Sequence, residues 1–135
     1  MAKVKVLILR APGTNCDVET AYAFQQAGAE TSLVHINQLV RRRQKLADYQ
    51  ILVLPGGFTY GDDLGAGKVQ ANELRLKQGE EIKRFLESGG LILGICNGFQ
   101  AMLKAGILPE PALVINNEVT LANNDSGKFE CRWIR

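Results

Sequence analysis

Apolar positions along this chain follow two rhythms, one continuous and one of helical period. Residues 4–9 form an apolar run rich in β-branched side chains, broken by Pro12-Gly13. Such runs are typical of a strand buried on both faces of a parallel sheet. After Thr14-Asn15, which are good helix caps, Val18, Ala21, Tyr22 and Phe24 recur at helical spacing until Gly28. Residues 31–36 predict a second strand and residues 50–54 a third, the latter ended by Pro55-Gly56-Gly57. A helix is expected around residues 79–88, with Ile82, Phe85 and Leu86 on one face before Gly89-Gly90. Residues 91–95 make the fourth strand, and a helix over about residues 97–104 stops at Gly106.

Strands alternating with helices of this length define βαβ units, so the expected class is α/β: an open parallel sheet with helices on both faces. Ligands of such sheets sit beyond the carboxyl ends of the strands. The glycine-rich breaks at Pro12-Gly13, residues 55–57 and residues 94–98 all fall on that edge. Residues 113–116, 119–122 and 128–134 read as three short strands joined by Asn-Asn and Asn-Asp-Ser-Gly turns, a short antiparallel extension at the C-terminus.

Composition narrows the setting. The chain has 135 residues, 46% hydrophobic and 22% charged, which suits a single soluble domain over residues 1–135. Sixteen Lys+Arg against fourteen Asp+Glu leave a net charge of +2, too little for a nucleic-acid footprint. The first apolar stretch is too short for a membrane span or signal segment. Cys16, Cys96 and Cys131 form no CxxC pair and read as reduced thiols of a cytoplasmic protein. With a single histidine, a structural zinc site is close to excluded, and no metal site is expected.

Several motifs fail on inspection. GDDLGAGK (residues 61–68) places Asp62 where a phosphate loop needs glycine and Val69 where it needs Ser or Thr. Gly65-Ala-Gly67 lacks the third glycine of a dinucleotide loop. The basic run at residues 41–45 reads as a solvated face. One motif holds. LILGICNGFQ (residues 91–100) is strand, then Gly-x-Cys-x-Gly, then helix: a nucleophile elbow with cysteine in place of serine. A side chain lifted on so sharp a bend needs small neighbours two residues to either side, here Gly94 and Gly98. The helix N-terminus beneath Cys96 offers it free amides and partial positive charge. The Asn97 amide can act as an oxyanion donor, and the bend at residues 55–57 can bring a second, assigned to Gly57. The bland alternative, a buried structural cysteine, leaves both glycines unexplained.

With LPGGFTYGD (residues 54–62), GICNGFQ (94–100), APGTNCD (11–17) and NDSGKFECRW (124–133) in hand, the sequence resembles class I glutamine amidotransferases. It is most similar to the purine-biosynthetic branch, the glutaminase subunits of synthases that make formylglycinamidine ribonucleotide. The resemblance spans the chain and implies a flavodoxin-like fold. It implies that Cys96 attacks the amide carbon of glutamine, forming a glutamyl thioester and releasing ammonia, with Gly57 and Asn97 as oxyanion amides and Gln100 in the glutamine pocket. No cofactor is implied in this chain. Its implied partners are an ATP- and Mg-dependent synthetase subunit, which receives the ammonia, and a small assembly subunit.

The sequence departs from the family in lacking the downstream His-x-Glu pair that serves as general base and orienter. The only histidine, His35, ends strand two. In a sheet of order 2-1-3-4 it stands three strands from Cys96, about 14 Å away at roughly 4.8 Å per step. It is read as a strand-end residue. The chain is therefore expected to be an N-terminal portion of such an enzyme, incomplete at its C-terminal end and alone weakly active or inactive. Two alternatives stand beside this. One is a non-catalytic module that docks on a synthetase. The other is a cysteine-elbow chaperone or deglycase, although that family places an acid near Arg10-Ala-Pro-Gly13, where none occurs. Cys16 and Cys131 are expected to be buried packing residues. Asp62 and Asp63 suit a solvated turn, the pocket mouth or the synthetase contact, and Arg132 a role in orienting glutamine or supporting the interface.

Overall fold

The computed structural model describes residues 2–109 and 119–133. Four parallel strands form one sheet: β1 (Lys5–Arg10), β2 (Glu30–His35), β3 (Ile51–Leu54) and β4 (Leu91–Gly94), in the order β2-β1-β3-β4. The register pairs Val6 with Thr31 on one side and Ile51 on the other, and Leu54 with Gly94. Helices α1 (Asp17–Gln26), α2 (Ile36–Val40), α3 (Lys68–Glu87) and α4 (Asn97–Ala105) connect and flank the strands. This is the open, flavodoxin-like α/β architecture expected.

Alternate side chains of β1 and β3 divide the core into two layers, as the two-residue period of a strand requires. Leu7, Leu9, Leu52 and Leu54 pack beneath α2, α3 and α4 with Leu39, Leu74, Ile82, Phe85, Met102 and Ile107. Val6, Ile8 and Val53 face the other way and meet Ala21 and Phe24 of α1. Helix α1 covers only part of that second face, and Leu91 and Leu93 of edge strand β4 are exposed there.

Three local expectations are corrected. Helix α3 begins eleven residues ahead of the expected 79, at Lys68. Its buried stripe runs through Gln70, Ala71, Leu74, Gln78, Ile82 and Phe85, so two polar residues occupy core-facing positions and hide the period. Gly79 lies inside it, a position costing about 1 kcal/mol that a packed helix tolerates. On α1 the buried residues are Asp17, Thr20 and Ala21, whereas Val18 and Tyr22 face solvent. The antiparallel extension is absent among the described residues. Residues 119–122 and 128–133 have no regular structure and are exposed, and residues 113–116 lie outside the described residues. Alternation alone makes no strand without a partner edge. The Asn-Asp-Ser-Gly turn does form, closed by a 2.8 Å bond from Gly127 N–H to the Asn124 carbonyl.

Candidate active site

The chain leaves β4 at Gly94 and enters α4 at Asn97, turning on Cys96 between them. Cys96 adopts φ 50° and ψ −111°, a strained conformation for a residue with a Cβ, and its side chain is exposed. The flanking glycines are required by close approach. A Cβ on Gly94 would stand 2.8 Å from Phe99 N, and one on Gly98 would stand 2.8 Å from the Leu54 Cβ. No larger residue fits while α4 lies this close to β3. The chain therefore makes a sharp strand-to-helix turn here, with Cys96 at its apex.

The Pro55-Gly56-Gly57 bend leaves the adjacent strand β3 and lies against the elbow. A Cβ on Gly56 would be 3.4 Å from the Cys96 Cβ. Gly57 has φ 125°, open only to glycine, and a Cβ there would meet Asn15 N at 2.9 Å. The loop after β1 closes over the bend. Thr14 bridges to Gly57, Tyr60 N–H donates to the Pro12 carbonyl at 2.6 Å, and Phe58 N–H to the Gly13 carbonyl at 3.3 Å. Among the described residues, the Gly57 and Asn97 amides donate to no protein acceptor. The Asn97 amide opens α4, where no intrahelical acceptor exists. Two strand ends thus bring an exposed sulfur and two unpaired amide donors to one edge of the sheet.

A buried polar network locks the second loop to the elbow. The Asn97 Oδ1 accepts from Thr59 Oγ1 at 2.5 Å and from Thr59 N–H at 3.3 Å, while its Nδ2 donates to Asp62 Oδ1 at 2.8 Å. Gln70 of α3 lies behind, its Oε1 3.2 Å from Thr59 Oγ1. Thr59, Gln70 and Asn97 are almost wholly buried. Sequence reasoning missed this use of Asp62, Thr59 and Gln70. Its only trace was the position of two of them within the GFTYGD run. Next to it, burial and then the Glu73 charge push the Tyr60 phenol above its usual 10.0.

The other candidate residues take up separate places in the fold. Gln100 is half-buried on the first turn of α4, its N–H bonded to the Cys96 carbonyl at 3.0 Å. His35 caps α2: its Nδ1 accepts from Asn37 N–H at 3.2 Å, and its own N–H donates to Gln38 Oε1 at 2.9 Å. The sheet order places it three strands from β4, as expected. Asp63 is exposed, and so are Arg41, Arg42 and Arg43. Residues 61–68 are a winding connection into α3, whose N-cap Gly67 packs on Ala101. Two readings change. Cys131 is exposed rather than buried, since its segment has no core to enter. Cys16 is half-buried at the N-cap of α1, beside Gly56. Arg132 lies 3.6 Å from Glu130. Arg10 pairs with the buried Asp17 carboxylate at 2.7 Å.

An open parallel α/β sheet with an exposed cysteine at a strand-to-helix bend suits a glutamine amidotransferase, and the chain belongs to that class: residues 3–135 match the CobB/CobQ-like glutamine amidotransferase domain family. Within it, the chain is 65% identical over 133 residues to the phosphoribosylformylglycinamidine synthase subunit PurQ of Dehalococcoides mccartyi, covering 98% of this chain and 52% of that protein. The same subunit of Methanococcus maripaludis is 47% identical over 131 residues, covering 96% of this chain and 49% of its own length. A solved structure of PurLQS from Thermotoga maritima contains a chain 39% identical, with TM-score 0.74, covering 98% of this chain and 54% of that one. The chain spans about half the length of the relatives it matches. No helix among the described residues is long and apolar enough to cross a membrane.

Proposed function

We propose that this chain carries the nucleophile and oxyanion half of a glutaminase site serving purine biosynthesis. The Cys96 sulfur attacks the carboxamide carbon of glutamine, and the carbonyl oxygen takes up negative charge as the centre becomes tetrahedral. The Gly57 and Asn97 amides receive that charge, each contributing on the order of 3 kcal/mol. Collapse expels ammonia and leaves a glutamyl thioester, which water hydrolyses to glutamate. Gln100, one turn into α4, contributes to the glutamine pocket. Residues 3–135 lie within a single glutamine amidotransferase domain and span about half the length of the matched relatives.

The ammonia passes to a synthetase subunit, which uses ATP and Mg to convert formylglycinamide ribonucleotide to its amidine in the cytoplasm, with a small assembly subunit completing the complex. The names of the relatives and the PurLQS assembly of the Thermotoga neighbour support this reading. The observation that supports the chemistry is the strained, exposed Cys96 on a bend packed against the Pro55–Gly57 loop, with the Gly57 and Asn97 amides free of backbone acceptors among the described residues.

An electrophilic glutamine analogue tests it. Rapid labelling confined to Cys96, suppressed by glutamine and abolished in Cys96→Ala, is the expected result. Slow labelling spread over all three cysteines and indifferent to glutamine would instead mark a module that docks without chemistry.

A further inference from the structure

Cys16 lies beside the nucleophile, which no sequence motif announces. Eighty residues separate the two in the chain, yet both flank the glycine at the middle of the Pro55–Gly57 bend. A side chain on Gly56 would begin 3.4 Å from the Cys96 Cβ and 3.9 Å from the Cys16 Cβ, so the two Cβ atoms are separated by no more than the sum of those distances. A disulfide needs them roughly 3.8 Å apart. Gly56 has no side chain to occupy the space that both Cβ atoms border. The Cys16 sulfur is in no disulfide and lies 3.9 Å from Asn15 Oδ1. Asn15 is the residue against which Gly57 packs, so this thiol borders the oxyanion bend itself.

We propose that Cys16 is a resolving cysteine for Cys96, and that peroxides convert the pair to a reversible disulfide that shuts the site. This rests on the reading of Cys96 as the exposed nucleophile. In the first step the Cys96 sulfur attacks one oxygen of hydrogen peroxide. An S–O bond forms, the O–O bond breaks, and the departing hydroxide takes the thiol proton to leave as water. In the second step the Cys16 sulfur attacks the Cys96 sulfenic sulfur. The S–S bond forms, the S–O bond breaks, and the hydroxide leaves as water with the Cys16 proton. Two thiols lose two electrons to the peroxide, which is reduced to two waters. In a reducing compartment the bond is transient. Its effect is to hold Cys96 short of sulfinic acid, from which recovery is exceptional.

Trypsin places Cys16, Cys96 and Cys131 in three different peptides, because Arg10, Arg41, Arg84, Lys104, Lys128 and Arg132 bound them. The purified protein is therefore treated with hydrogen peroxide, mapped without reduction, and labelled in parallel with the glutamine analogue before and after dithiothreitol. The expected map shows the Cys16 peptide joined to the Cys96 peptide, with Cys131 still free, loss of labelling on oxidation and its recovery on reduction. Cys131→Ser behaves the same. In Cys16→Ser the labelling is lost and not recovered, and Cys96 is found as sulfinic acid. Gly56→Ala, whose methyl meets both cysteines only at ordinary contact distance, slows the joining. Oxidation of Cys96 with Cys16 left as a free thiol, or a Cys96–Cys131 bond in its place, overturns the proposal. If reduced protein labels at Cys96 and the bond does not form, this inference alone fails. If reduced protein does not label, the glutaminase reading fails, and the peptide map still decides the disulfide.

Discussion

Thr59 has one hydroxyl proton and two acceptors within reach. The Asn97 Oδ1 at 2.5 Å takes it in preference to the Gln70 carboxamide at 3.2 Å. Turning that carboxamide end for end sets its NH2 against the Thr59 oxygen and gives the buried, otherwise unpartnered Nε2 an acceptor. Every link from Gln70 to Asp62 then has a donor and an acceptor. Thr59→Val keeps the shape and removes the hydroxyl, leaving Gln70 unpartnered and Asn97 Oδ1 with only the longer backbone bond. It should cost about 1–3 kcal/mol in urea unfolding. It should also slow Cys96 labelling, because the loop carrying Gly57 is no longer clamped to the residue carrying the second amide. Unchanged stability would show that the network carries no weight. Tyr60, at the same corner, gives a pH signature. Burial and Glu73 raise its phenol above 10.0 in the folded protein, so the unfolded chain ionises first as pH climbs. Stability from this group is complete below pH 10.0 and is lost as pH rises through the raised folded value. Thermal unfolding should therefore fall off above that pH less steeply in Tyr60→Phe than in the parent.

At the scale of elements, two glycines separate packing from backbone strain. Gly98 lies where α4 meets β3, and a methyl there would press on Leu54. Gly89, with φ 91°, has nothing within 4 Å of its would-be Cβ. Gly89→Ala should cost only the left-handed backbone penalty, about 1–2 kcal/mol. Gly98 has ordinary helical φ and carries no such penalty, so Gly98→Ala reports packing alone: its methyl would meet the Leu54 backbone, an overpacking cost of about 3 kcal/mol or more that must shift the elbow. The expected result is a lower urea midpoint than Gly89→Ala together with slower Cys96 labelling. Equal midpoints and equal labelling would mean that α4 has room to spare. The same contacts explain why the elbow was legible in the sequence. Gly94, Cys96 and Gly98 are constrained by neighbours within a few residues and by one strand–helix crossing, and local pattern reports such constraints well. The clamp was not legible, because it joins Thr59, Gln70 and Asn97 from three elements and depends on tertiary approach. Helix α3 shows the same limit: Gln70 and Gln78 are buried on its inner face, so a hydrophobic period alone finds only its second half. On α1, Val18 and Tyr22 carried an apolar period on a face that the sheet does not bury.

The whole molecule decides what the site can complete. In the proposed reaction, turnover needs a group to protonate the leaving ammonia and to activate water against the thioester, within about 3 Å of the reacting atoms. His35 is the only histidine of the chain, and the order β2-β1-β3-β4 puts its strand at the opposite margin of the sheet from β4. At roughly 4.8 Å per strand that is about 14 Å, a gap no rotamer closes. Its ring is also engaged, accepting from Asn37 N–H to cap α2. Attack and proton transfer can therefore be measured apart. On the proposed site, a polypeptide of these 135 residues should be labelled at Cys96 by the glutamine analogue while releasing ammonia from glutamine far more slowly than a complete amidotransferase. His35→Asn retains a capping side chain, so α2 should keep its start, and the labelling rate should match the parent. Supplying imidazole in solution should raise ammonia release in the parent and in His35→Asn alike, because the vacancy it fills is not the one at β2. A fall in labelling or release in His35→Asn with folding intact would place that ring at the site and overturn the assignment of its role from sheet order.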